Sequence, residues 1–187
     1  MDLSGQSEID STQIINSEWY RFYKNQNSKL NAMTFNQFEV KKNFEYIQGN
    51  IHADYDPGFS ECNKSFIIES PDRNKYIDFL SYSTLIDSKD SCKILGFDID
   101  QEVNLVDRVN KTVKRIRFSG SIETIEDAVW INSSKVILFC QTADSKKGIK
   151  LFFECFNFEN NQYSMYMQPD YYQYVRSYLN TKYGFKD

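Results

Sequence analysis

The chain has 187 residues, of which 41% are apolar, 26% charged and 16% aromatic, and its formal net charge is −4. This length favours one domain spanning 1–187, and the balance is that of a globular chain rather than a linker or low-complexity tract. The mild acidity argues against nucleic acid as the main partner, because phosphate binding needs a basic footprint, and no apolar run is long enough to cross a bilayer.

Residues 1–10, MDLSGQSEID, have neither a basic stretch nor an apolar core. They read as a flexible segment, not a signal peptide. That points to the cytoplasm; the alternative is an exported or lipid-anchored envelope protein whose signal has been removed. In STQIINSEWYRFYKN, Ile15, Trp19, Phe22 and Tyr23 share one helical face, although the same letters also suit a strand. The stretch from Met33 to Asp56 reads as one or two strands.

SFIIES, NKYIDFLSYSTLID and CKILGFDID read as further strands, with SPDRN as a turn. VNLVDRVNKTVKRIRF predicts a hairpin turning near Asn110-Lys111. It places Val103, Leu105, Ile116 and Phe118 on a dry face, Asn104, Arg115 and Arg117 on a wet one, and Asp107 opposite Lys114. KVILFCQT and IKLFFECF, either side of ADSKKG, predict a hairpin apolar on both faces and therefore central in its sheet. The expected register pairs Cys140 with Leu151 and Cys155 with Val136. Those two cysteines then share a face, too far apart for a disulfide. LFFECFNFENNQYSMYM predicts a hairpin turning at Asn160-Asn161, with Phe156 opposite Met165 and Phe158 opposite Tyr163.

These hairpins echo one another. ESPDRNKYIDFLSY resembles WINSSKVILFCQT in its strand–turn–strand order, and VNLVDRVNKTVKRI resembles FFECFNFENNQYSM. Two such blade-like units cannot close a propeller, and stacked repeats need about three units, so the echo is read as the grammar of antiparallel meanders. At the C-terminus, PDYYQYVRSYLNTKYGF changes period. It predicts a helix capped by Asp170 and stopped by Gly184.

Candidate chemistry is sparse. His52 is the only histidine, so a histidine-dependent nucleophile must use it. Cys62, near it in sequence, is the nearest candidate nucleophile. An extended HADYD would set His52, Asp54 and Asp56 on one face, as a mixed nitrogen–carboxylate metal site requires. FDIDQEVN would do the same with Asp98, Asp100 and Glu102 for calcium, though without an EF-hand pattern. Glu123, Glu126 and Asp127 are candidate acid–base carboxylates only if a cleft faces them. Arg108, Lys111, Lys114, Arg115 and Arg117 gather on one hairpin, where a solvated face is the plainer reading than an anion site. No C-x-x-C pair joins Cys62, Cys92, Cys140 and Cys155, which read as buried thiols, the alternative being a disulfide. There is no glycine-rich phosphate loop and no cofactor is implied.

The expected fold is α+β and mainly β. It is an antiparallel meander sheet, a sandwich or partial barrel, with a C-terminal helix and, on one reading, an N-terminal one. The expected function is a non-catalytic binding or protein-interaction domain, because catalytic motifs are missing and tyrosine is abundant. Tyr171, Tyr172, Tyr174 and Trp19 are the candidate binding residues, for another protein or a carbohydrate. The alternative is a hydrolase or metal-dependent enzyme centred on His52.

Overall fold

A computed structural model describes residues 11–41, 44–49, 51–87, 92–173 and 176–184. Residues 1–10 and Tyr174 lie outside this set. The N-terminal part supplies helices α1 (Ser11–Ile15) and α2 (Glu18–Gln26) and strands β1 (Asn36–Lys41) and β2 (Ile47–Gln48). A first meander follows: β3 (Ile67–Glu69), β4 (Lys75–Asp78), β7 (Gln101–Asp107) and β8 (Thr112–Ser119). A separate hairpin of β5 (Thr84–Asp87) and β6 (Lys93–Phe97) interrupts it. The second meander runs unbroken through β9 (Glu123–Asn132), β10 (Lys135–Asp144), β11 (Gly148–Asn157) and β12 (Gln162–Met167), before helix α3 (Tyr178–Tyr183).

The two meanders are built alike. Each takes a further strand from the N-terminal part against its last strand, β2 on β8 and β1 on β12. The echo in the sequence falls on equivalent hairpins: β3–β4 matches β9–β10, and β7–β8 matches β11–β12. All pairing within the sheets is antiparallel. The sheets do not close; they pack on each other.

Alternation along the strands sets the layers. Ile77, Phe79, Val103, Leu105 and Ile116 of the first sheet meet Val136, Leu138, Cys140, Phe152 and Phe156 of the second in one buried core. The other face of the second sheet carries Ile137, Phe139, Leu151 and Phe153, and α1, α2 and α3 cover it through Ile14, Trp19, Tyr23 and Tyr178. Trp19 stacks on Phe139 at 4.9 Å between centroids. The other face of the first sheet buries Tyr76, Val106 and Val113 beneath Ala53, with Ile51 and Tyr55 alongside. As expected, β10 and β11 are apolar on both faces and lie inside their sheet.

The hairpin registers correct the sequence reading in an instructive way. Observed pairs are Phe156 with Tyr163 and Asp107 with Thr112, each slipped by two residues from expectation. Four-residue turns cause this, with positive φ at Lys111 and Asn161. An even slip by itself leaves side chains on their faces, but β7–β8 also has a bulge between Val103 and Asn104, and there Asn104, expected on the wet face, is buried while Phe118, expected on the dry face, is exposed. Between β10 and β11 the slip is one residue: Cys140 pairs with Phe152 and Cys155 with Ile137. Asp144 pairs with Gly148 across three loop residues, and Gly148 takes φ 102°. A three-residue loop changes the parity, so Cys140 and Cys155 lie on opposite faces rather than one. Both are free thiols, as expected.

The helices also differ from expectation. The N-terminal one breaks at Asn16-Ser17, where the Ser17 hydroxyl caps α2 by accepting from the Tyr20 amide at 3.0 Å. The break turns Ile14 inward and leaves Ile15 exposed. The C-terminal helix starts at Tyr178 under a Ser177 cap, not at Asp170, although Gly184 ends it as expected with φ 73°. Tyr171 and Tyr172 stay outside it because β12 ends opposite Phe152, leaving Ile149 of β11 open on that side. Tyr172 takes this place, exchanging amide–carbonyl bonds with Ile149 at 2.7 and 2.9 Å.

Candidate binding surfaces

The candidate residues for chemistry are dispersed. HADYD is not extended: the Asp56 amide donates to the Ala53 carbonyl at 2.7 Å and the Phe59 amide to the Asp56 carbonyl at 2.9 Å, so the chain doubles back. His52 Nδ1 lies 2.7 Å from Asp56 Oδ2, with 70% of the imidazole side chain exposed. The Gly58 amide, and then His52, hold the Asp56 carboxyl below its usual range. Asp54 instead meets Arg108 at 2.6 Å, and Arg108 also reaches Glu69. His52, Asp54 and Asp56 therefore do not converge.

Cys62 is bonded to Cys92, with Cα atoms 5.2 Å apart. This corrects the preferred reading of all four cysteines as thiols in favour of its alternative, a disulfide, and removes Cys62 as a nucleophile. The residues on either side carried a signal: Cys62 and Cys92 border polar stretches, whereas Cys140 and Cys155 sit inside apolar strands. The bridge ties the start of β6 to the turn at 61–66.

The acidic candidates separate as well. Asp98 and Asp100 are exposed in the loop before β7, while Glu102 is buried within it and meets Arg115 at 3.2 Å. Glu123 pairs with Arg117 and Asp127 with Lys182. Glu126 is fully buried and accepts hydrogen bonds from Trp19 Nε1 at 2.8 Å, the Tyr23 hydroxyl at 2.8 Å and the Ser177 hydroxyl at 2.6 Å. Burial pushes its carboxyl up despite these donors. It ties α2 and α3 to the sheet. Among the described residues no group of three or more His, Cys, Asp or Glu side chains is placed to hold a metal. The basic hairpin is likewise divided: a bulge between Val103 and Asn104 sends Arg115 to Glu102 and Arg117 to Glu154.

Of the aromatic candidates, Trp19 is fully buried and offers no surface. Tyr172 is half-buried, its hydroxyl donating to Gln168 Oε1 at 3.2 Å. Tyr171 is exposed, with Lys147 Nζ at 5.3 Å and Lys150 Nζ at 5.1 Å from its ring centre. The strap that carries it runs between two shallow depressions. Gln26, Lys29, Thr34 and Asp170 line one; Ile122, Asp144, Lys146 and Ile149 line the other. Gly148 permits the close approach, since a Cβ there would lie 1.9 Å from the Tyr172 carbonyl oxygen.

A further concavity was not foreseen. The β7–β8, β9–β10 and β11–β12 turns gather at one end of the molecule, and a cleft of about 350 Å³ opens there between the sheets. Lys75, Leu105, Asp107, Thr112 and Lys114 come from the first sheet; Ser134, Phe158, Glu159 and Asn161 come from the second. Tyr46 lies across them, its ring 6.3 Å from that of Phe158 and 5.0 Å from Lys114 Nζ.

Compared with family models, curated proteins and solved structures, the chain has no significant match.

Proposed function

We propose that this is a non-catalytic binding protein that engages a protein partner through the Tyr171 ridge. The observation that carries the reading is the placement of Tyr171: an exposed ring on a strap fixed to β11 by two backbone hydrogen bonds. A ring already held in place loses little freedom on binding, and aromatic anchors of this type carry a large share of interface energy. Lys146, Lys147 and Lys150 beside it outnumber Asp144, which pairs with Lys147, and Asp170, and so suit an acidic partner surface. Affinity capture with the full chain tests this. Tyr171→Ala should retain at least about tenfold less partner than wild type, with unchanged thermal stability, and Tyr171→Phe should retain most of it. An identical partner set for all three proteins sinks the proposal.

The hydrolase or metal-dependent alternative centred on His52 has less support. Its imidazole is exposed and paired with Asp56, and Cys62 carries no free thiol.

No described helix is long and apolar enough to cross a membrane. The Cys62–Cys92 bridge favours an oxidising compartment, since structural disulfides persist there and are rare in the cytosol. The exported alternative is therefore preferred over the cytoplasm. Thiol labelling of the denatured, unreduced protein taken from its native cells should count two reactive cysteines, Cys140 and Cys155. A count of four would return the protein to a reducing compartment.

A further inference from the structure

We infer that the cleft between the two sheets is a binding site for a neutral sugar ring. This rests on a different part of the surface from the Tyr171 ridge, and either reading can fail alone. Three features of the lining select the ligand.

The first is charge. Lys75 and Lys114 are matched by Asp107 and Glu159, so the formal charges in the lining cancel. A phosphate or other strong anion would sit beside two carboxylates, and a cation beside two ammonium groups. The Asp107 carboxyl stays ionised: burial opposes this, but Asn110 donates to it through its backbone and side-chain amides, and Lys75 lies opposite it in the neighbouring strand.

The second is the distribution of apolar and polar groups. Tyr46 and Phe158 present rings, and Leu105 presents a buried aliphatic group. Around them stand the hydroxyls of Thr112 and Ser134, the amide of Asn161 and the two lysines. A pyranose has the complementary division, with C–H groups on its face and hydroxyls on its edge. The Ser134 hydroxyl already donates to Asn132 at 3.0 Å, but a purely apolar ligand would take the Thr112 hydroxyl, the Asn161 amide and the lysines from water without replacing their bonds, which is costly.

The third is size and rigidity. The volume, about 350 Å³, is at the small end of the range of about 300–1,000 Å³ found for small-ligand sites. The walls are the ends of two packed sheets, and Phe158 is fixed by rings on either side, Trp130 at 5.8 Å and Phe156 at 6.4 Å. The Phe158 amide donates to the Ser134 carbonyl at 2.8 Å, which joins the β9–β10 turn to the β11–β12 turn at the cleft wall.

Amide-resolved NMR of the full chain tests the inference, with methyl glucoside, methyl galactoside, methyl mannoside, cellobiose, lactose and maltose as probes, and glycine and inorganic phosphate as controls. At least one sugar should give saturable shifts at Thr112, Ser134 and Asn161. Lys114→Met and Asn161→Gly should each weaken that binding about fivefold, the effect of one lost hydrogen bond. Asn161→Gly suits the positive φ of that position, so the turn is kept. Tyr171→Ala should leave sugar binding unchanged. The inference is overturned if no sugar shifts these amides, if sugar shifts map elsewhere, or if phosphate or glycine binds the cleft in place of sugar.

Discussion

At the residue scale, the unexpected feature is how many carboxylates are buried. Asp78, Glu102, Glu126 and Glu154 are all nearly or wholly inaccessible. Glu126 has its cage of donors, and Glu102 and Glu154 have arginines. Asp78 is less well served. Its Oδ1 accepts from the Leu80 and Ser81 amides, but its Oδ2 has no partner, nor does Oδ1 of Asn104 opposite it in β7. Burial, with Glu102 nearby as a lesser cause, pushes Asp78 from 3.8 up to about 6. A carboxyl that binds its proton more tightly in the folded state stabilises the fold most below its unfolded pKa. This contribution is complete below pH 3.8, falls as pH rises, and is lost above about pH 6. At about 1.4 kcal/mol per pKa unit it amounts to about 3 kcal/mol. Asp78→Asn should keep the two amide contacts and remove the charge. Its stability relative to wild type should therefore rise between pH 4 and 6, measured by urea unfolding at several pH values. Parallel stability curves for the two proteins would show that Asp78 is not the group responsible. Nothing in NKYIDFLSYSTLID marks Asp78 as buried, because an outward-facing Asp in a strand is ordinarily wet.

At the element scale, alternation identified the strands, and loop length decided which face each one buries. Two hairpins turned through four residues where two were expected; that even slip kept the faces of β11–β12, while a bulge in β7–β8 exchanged part of that hairpin's faces. One turned through three, and its faces exchanged. The exchange matters because both faces of β10 and β11 are apolar. Either assignment fits the pattern, and only the geometry of Gly148 and the Asp144 side chain, which accepts from the Lys146 and Lys147 amides, selects one. Tyr171 and Tyr172 show the same limit. Their spacing suits a helix, but an open backbone position on β11 holds them extended, and the helix waits for the Ser177 cap. This places Tyr171 on a ridge rather than on a helix packed against the sheet.

At the scale of the whole molecule, two similar meanders share a core with an ion pair set into it. Arg117 of β8 reaches across to Glu154 of β11 at 3.0 Å, and the Tyr163 hydroxyl donates to the same carboxylate at 2.9 Å. Burial pushes Glu154 up against the pull of Arg117 and Tyr163. Removing one partner strands the other in a place with little water, which costs about 3–5 kcal/mol, whereas replacing both by apolar groups is often neutral. Arg117→Met alone should therefore destabilise the protein strongly in denaturant unfolding, and Arg117→Met with Glu154→Leu and Tyr163→Phe, which leaves no buried partner of the carboxylate behind, should recover most of the loss. A small cost for the single substitution would mean that the pair does not hold the sheets together. The same juxtaposition of sheets creates the cleft lined by Tyr46 and Phe158, residues far apart in sequence that no local pattern links.

The sequence alone determined the mainly β, antiparallel character, the order of strands, the glycine that ends the last helix and the echo between equivalent hairpins. These follow from side-chain periodicity and turn chemistry, which act over a few residues. Tertiary structure decided the hairpin registers, the Cys62–Cys92 bridge, the burial of Trp19 and the acids, and both candidate binding surfaces. Each of these depends on which segments meet across the two sheets. Such contacts are chosen by packing and by the pairing of buried polar groups over long sequence separations, and a window of local sequence contains neither.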